Sequence, residues 1–258
     1  MRTRWRRLGV CAALVFSACA DGGADRVPPP SDEWTYYGGQ NSFNRYSPLT
    51  QIDRETVDAV QMLWRRPAVD GALTAEYPDL DFNNYLRGTP VLVEGTLYAP
   101  NAVGLVEAFD PGTGETRWFQ RPESEEDVRG RSFRGVAYWR GAGTGSGDGG
   151  ADGGDGDSAG RIISVRGPAM YALDAATGEP TASFGDGGRV DLQLPAGGRY
   201  GWSSGPIVVG DVIVLAGTVD GAGDGGTEWR GSVREDIRGF DARTGRLLWT
   251  FHVIPEEG

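Results

Sequence analysis

The stretch AFDPGTGETRW, residues 108–118, decides how this chain folds, because its frame recurs. ALDAATGEPTA follows at 172–182 and GFDARTGRLLW at 239–249. Each copy has a small residue, then D-x-x-T-G, then a tryptophan four residues after the glycine; Ala182 replaces that tryptophan in the second copy. The spacings are 64 residues from Asp110 to Asp174 and 67 from Asp174 to Asp241. D-x-x-T-G reads as a turn, since Asp accepts from backbone amides ahead of it and Gly supplies positive φ.

Apolar alternation flanks every turn, as in LVEAFD and ETRWFQ around the first. Upstream lie further strand pairs, TPVLVEGTLYA (89–99) and GPIVVGDVIVLAG (205–217), with V-E-G and V-G-D as hairpin bends. That makes four short strands per unit and no amphipathic helix between units, the pattern of an all-β, β-propeller fold. Trp118 and Trp249 close the outer strands of their units and are expected to pack between blades. VQMLWRR, 60–66, reads as one further outer strand, from a blade whose other strands lie elsewhere. Three blades and a stray strand do not close a ring, which takes about four to eight. The expectation is an incomplete ring of three to four blades, part of a longer protein.

Outside the repeats, MRTRWRR followed by LGVCAALVF is a charged-then-apolar secretory leader, expected over 1–19. It ends in FSAC, which resembles a bacterial lipobox with Cys19 as the lipidated residue; Phe16 in place of the usual Leu leaves plain signal-peptidase cleavage as the alternative. Residues 20–33, rich in Pro and Gly, read as a tether, and 34–258 as the propeller. Both cysteines, Cys11 and Cys19, sit in the leader, so the mature domain has no disulfide. The Gly/Asp-rich run 141–160 reads as a hairpin insertion; its texture resembles calcium-binding nonapeptide repeats only loosely. A net charge of −11, with Arg as the sole basic side chain besides His252, disfavours nucleic acid as a partner.

Taken together, WTYYGGQNSFNRYSPLTQI (34–52), FRGVAYWR (133–140) and the D-x-x-T-G repeats resemble the quinoprotein dehydrogenases that use pyrroloquinoline quinone (PQQ). ALDAATGEPTASFGDGGRVDL (172–192) is close to their membrane glucose dehydrogenase-like branch. The resemblance covers 34–258 and implies about the first half of an eight-bladed ring. It implies oxidation of an alcohol, sugar or polyol, PQQ and Ca²⁺ as cofactors, and ubiquinone or a cytochrome as electron acceptor. It also implies a periplasmic site, membrane-anchored if Cys19 is lipidated.

The same resemblance assigns residues. Arg134, the arginine of R-G-x-A-Y-W, would grip a PQQ carboxylate bidentately; the alternative is a surface ion pair. Gly135 would let the backbone approach the ring system, or mark a bulge. Ser203 and Ser204 in GWSSGP would hydrogen-bond the cofactor or simply complete a strand. Asp220, just beyond the second strand of the third blade, would be a Ca²⁺ ligand or a solvated turn residue; Gly221 stands where many relatives have Asn. Arg87 stands where some relatives have Glu and would be a second carboxylate clamp or a rim residue. EDVRGRS (126–132) lacks the vicinal Cys pair of the methanol-dehydrogenase branch, favouring the sugar and polyol branch. His252 reads as structural. The family's Asp base and cofactor-binding Lys are expected beyond Gly258, and the 258 residues alone are expected to be inactive.

A rival assignment is non-enzymatic: the propeller lipoprotein of outer-membrane barrel assembly, which shares repeat, lipobox and compartment. R-Y-S-P-L and R-G-V-A-Y-W separate the two, since that scaffold needs neither. Lipidation is directly checkable. Cys19→Ser should abolish incorporation of labelled palmitate, and globomycin should cause the unprocessed form to accumulate; normal processing to a soluble product in both cases overturns the anchor.

Overall fold

The computed structural model describes residues 33–39, 43–82, 86, 88–123, 134–141, 160–192, 199–201, 205–216, 218–220 and 236–253. The leader with Cys19, the tether up to residue 32, Arg87, EDVRGRS, Ser203, Ser204 and all but the ends of the 141–160 insertion lie outside them.

Three four-stranded antiparallel sheets follow one another as the repeats require. The first holds β1 (Val91–Val93), β2 (Thr96–Pro100), β3 (Val106–Phe109) and β4 (Thr116–Phe119). The second holds β5 (Ala137–Trp139), β6 (Arg161–Arg166), β7 (Ala169–Asp174) and β8 (Arg189–Asp191). After β9 (Arg199–Gly201), the third blade begins with β10 (Ile207–Val209) and β11 (Val212–Ala216). There β12 (Thr218–Asp220) leaves the blade to pair with β9, and β13 (Ile237–Asp241) and β14 (Leu247–Phe251) complete the sheet. In the first blade Glu94 and Gly95 both take positive φ (47° and 70°), so V-E-G is the tight bend that its sequence requires.

The D-x-x-T-G turns are nearly identical. Asp110 Oδ1 accepts the amides of Gly112 and Thr113 at 2.8 and 3.0 Å, and Asp174 and Asp241 repeat this. The closing glycines, Gly114, Gly178 and Gly245, have φ of 74°, 77° and 73°. Arg117's hydrogen bond, reinforced by these two amides, holds the Asp110 carboxyl below its ordinary range.

These turns are also the docking points between blades. Trp118 of the first blade donates Nε1–H to Ala175 O in the second blade's turn at 3.0 Å, and its ring lies over Gly178. A Cβ on Gly178 would fall 2.5 Å from that ring, so close approach as well as positive φ demands glycine. Trp64 repeats the arrangement on the first blade's turn, donating to Pro111 O at 2.9 Å above Gly114. The expected strand at 60–66 is therefore corrected: it has no ladder partner among the described residues, yet Trp64 takes the docking position.

Ala182 removes the indole at the next junction, and a different residue fills the role. Arg161, 1% exposed, donates from Nη1 to Ala242 O and Arg243 O at 3.0 and 2.6 Å, and from Nη2 to Ser183 Oγ at 2.8 Å. Its guanidinium lies 4.9 Å from the Trp139 ring centroid. Phe184 and Val190 cover Gly245 in place of an indole. The outer strand of this blade is irregular: Pro180 makes a lone bridge to Leu173, and regular pairing resumes only at β8.

Blade-to-blade burial follows. Val91, Val106 and Ala108 pack against Ile162 and Leu173, while Ile163, Met170 and Ala172 pack against Ile213 and Phe240. The middle blade is covered on both faces, so β6 is buried at every residue, whereas β14 is exposed at every residue. Trp249, 41% exposed, lies across its own Gly239.

Ahead of the blades, α1 (Gly71–Glu76) seats Leu73 in a small core with Leu80, Val103 and Leu105. Buried Glu107 holds this region, accepting from Asp70 N and Asn101 Nδ2 at 2.9 Å each and pairing with Arg66. Burial pushes its carboxyl above the ordinary range.

If the junctions are held as described, Trp118→Phe should cost about 1 kcal/mol, one hydrogen bond with the ring retained. Arg161→Met should cost about 3 kcal/mol, because two buried carbonyls lose their donor. Urea denaturation midpoints check both, and equal midpoints for Arg161→Met and wild type would remove Arg161 from the junction.

Candidate functional site

The innermost strands of the three blades begin side by side on one edge of the arc. Thr89, just before β1, donates its amide to Arg134 O at 2.9 Å and forms a parallel bridge with Gly135, just before β5. Gly205, before β10, comes so close that a Cβ there would sit 3.3 Å from the carbonyl carbon and oxygen of Gly135. A side chain at Gly205 would crowd the Gly135 peptide, whereas a Cβ at Gly135 itself would meet Tyr37 and Thr89 at ordinary contact distance.

Arg134 stands at this edge, exposed, and beyond its backbone bond to Thr89 its side chain has no ion pair or hydrogen bond with any described residue. Gly135 is buried and sits in an inter-blade bridge.

The N-terminal segment supplies a further wall. Trp34 and Leu92 exchange backbone hydrogen bonds at 3.1 and 2.8 Å, so 33–39 runs along β1. Glu33 accepts the Glu94 amide at 2.8 Å and pairs with Arg140 at the far end of the inner strands. Tyr37 reaches the near end, its Cδ2 3.4 Å from where a Gly135 Cβ would be. W-x-x-Y-G-G is thus the piece that climbs the axis beside the inner strands.

Asp220 lies just beyond β11, the second strand of the third blade, as its place in the sequence requires. It lies in β12, in register with Arg199 of β9, on a two-stranded ribbon outside the blade ladder. The ribbon forms because the chain on either side of the third blade's first two strands pairs with itself. His252 Nδ1 lies 2.9 Å from Asp236 Oδ2, a pairing of residues that flank β13 and β14. Among the described residues, no three His, Cys, Asp or Glu side chains cluster to hold a metal. Thr89, Gly205 and Tyr37 were not singled out from sequence. The available signal was a glycine shortly before each inner strand, in RGTP, RGVA and SGPI.

Residues 34–258 match the family described as glucose/ethanol/alcohol dehydrogenase, beta-propeller domain, PQQ. The chain belongs to this family. It is 31% identical over 270 residues to the dehydrogenase subunit of a quinone alcohol dehydrogenase from Gluconobacter oxydans, covering 98% of this chain and 30% of the relative. To the quinoprotein glucose dehydrogenase of Escherichia coli it is 30% identical over 294 residues, covering 96% and 34%. The chain thus spans about a third of the length of these relatives. The crystal structure of quinohemoprotein alcohol dehydrogenase from Comamonas testosteroni superposes with a TM-score of 0.62 at 22% identity, covering 88% of this chain and 28% of that one. That likeness concerns the fold: three blades here align with part of a larger propeller protein.

The inter-blade contact at the inner edge predicts a sharp contrast between glycines. Gly205→Val should lower the urea midpoint clearly, because its side chain meets the Gly135 peptide. Gly210→Asn should be nearly neutral, since nothing lies within 4 Å of a Cβ there and Asn tolerates its φ of 57°. The reverse order would mean that the inner strands are not packed as described.

Proposed function

We propose that this chain is the N-terminal part of a PQQ-dependent dehydrogenase that oxidises an alcohol, sugar or polyol and passes the electrons to ubiquinone or a cytochrome. The observation that carries this reading is Arg134, an exposed arginine whose side chain has no described partner, next to the edge where three inner strands converge. PQQ is a planar tricarboxylate, so a site for it needs cations at its rim, and Arg134 beside the converging inner strands supports placing it here. When bound, the orthoquinone is the two-electron acceptor for the substrate.

The chain's own residues would bind and orient the cofactor. Arg134 would hold one carboxylate through a forked pair of hydrogen bonds, and Gly135 would let the ring plane approach the backbone. Ser203 and Ser204 would donate hydroxyls, and Arg87 would serve as a second clamp. Asp220 is the candidate hard ligand for Ca²⁺, with its remaining ligands drawn from outside the described residues. The base that takes the substrate's hydroxyl proton would come from later blades.

The missing Cys pair in EDVRGRS supports a sugar or polyol substrate. A secretory leader ending at Cys19 supports a periplasmic, lipid-anchored protein, and no helix among the described residues is long and apolar enough to cross a membrane. The barrel-assembly scaffold is disfavoured by the family match and by R-Y-S-P-L and R-G-V-A-Y-W.

In the complete protein, reconstituted with PQQ and Ca²⁺, Arg134→Ala should weaken cofactor binding about ten- to a hundredfold, the loss of one charge-assisted contact. Calorimetric titration checks this. A variant that binds PQQ like wild type overturns the site assignment.

A further inference from the structure

The segment that climbs the axis does not end at Tyr37. It folds back so that Arg45 stacks on the Tyr37 ring, with the guanidinium 5.3 Å from the centroid and Nη2 donating to Tyr37 Oη at 3.4 Å. The fold-back is strained: Phe43 and Arg45, both non-glycine, have φ of 52° and 54°. Arg45 N donates to Gly38 O at 3.0 Å, and Phe43 closes over Gly38 so tightly that a Cβ there would fall 2.5 Å from its ring. Left-handed conformations at non-glycine residues persist where surrounding contacts impose them, and they concentrate at binding sites.

Arg45 is exposed and makes no ion pair with any described residue. The stack and the Nη2 bond to Tyr37 Oη use one face and one arm of the guanidinium and leave the Nε and Nη1 N–H groups for a ligand. Tyr37, which carries it, packs on Gly135, the residue next to Arg134. On a chain with a net charge of −11, two arginines without described carboxylate partners therefore share one edge. Such a pair makes a local anion site against an acidic background.

We propose that Arg45, positioned by Tyr37, is a further carboxylate-binding residue of this axial site, beside Arg134. This rests on the quinone reading above. Its ligand is a carboxylate of the planar polycarboxylate cofactor, at a different position from the one Arg134 holds.

The test uses the complete protein titrated calorimetrically with PQQ and with its trimethyl ester, which keeps the ring but lacks the carboxylates. Arg45→Gln should weaken PQQ binding about ten- to a hundredfold. Arg45→Lys should recover only part of this, because Lys keeps the charge but not the stacked fork. The ester should bind wild type and Arg45→Gln equally. Urea midpoints should not change, since Arg45 is exposed. If Arg45→Gln binds PQQ like wild type while Arg134→Ala does not, this inference is overturned and the quinone reading stands. If wild type binds no PQQ, the quinone reading fails and this inference with it. If Arg45→Gln weakens the ester as much as PQQ, Arg45 acts on shape and the carboxylate role is wrong.

Discussion

Each blade is fastened to the next by a donor that reaches across and bonds the carbonyl after the aspartate of a D-x-x-T-G turn. Without that contact, four-stranded sheets of three- to six-residue strands would have little to fix their mutual angle. Trp64 and Trp118 make it with an indole, and Arg161 makes it with a guanidinium. The turn is well suited to receive it. Its aspartate fixes the local backbone through two amides, and its glycine leaves a flat, side-chain-free surface for a ring. A conformational requirement and a packing requirement therefore fall on the same residue.

The substitution at the second junction shows what the contact needs. An indole contributes one N–H and a large apolar face. Arg161 contributes the hydrogen bonds, while Phe184 and Val190 provide the apolar cover, so two roles of one side chain are divided among three. The arginine is buried; desolvation lowers its pKa and Asp241 offsets part of this, while the Trp139 ring faces its guanidinium. The outer strand of the same blade is irregular: the chain makes a single bridge at Pro180 and rejoins the sheet only at β8.

Fixing the blades at their outer turns brings the inner strands together at the opposite edge. There the limit is steric. Thr89, Gly135 and Gly205 approach within backbone contact, and at Gly205 a side chain would press on the Gly135 peptide. The same closeness that holds the blades together leaves a peptide edge flanked by Arg134, with Tyr37 packed beneath it. Stability and a candidate cofactor surface are thus two consequences of one packing geometry.

The sequence by itself determined the blades. Period-2 apolar alternation and D-x-x-T-G turns at 64- and 67-residue spacings depend only on local chemistry, and the three antiparallel sheets follow them closely. It also pointed to Arg134 and Gly135, because R-G-V-A-Y-W is a contiguous motif. Other features depended on which distant segments meet, and only the tertiary structure decided them. Segment 60–66 reads as a strand from its alternation, but a ladder needs a partner that its own residues do not specify. The ribbon that carries Asp220 forms because residues 199–201 and 218–220 pair across a whole hairpin. Arg161 carries no local sign of its role, since the missing tryptophan it compensates is 21 residues away along the chain. Side-chain chemistry is written into short motifs, whereas long-range contacts arise from the summed packing of many residues and appear only once the chain is folded.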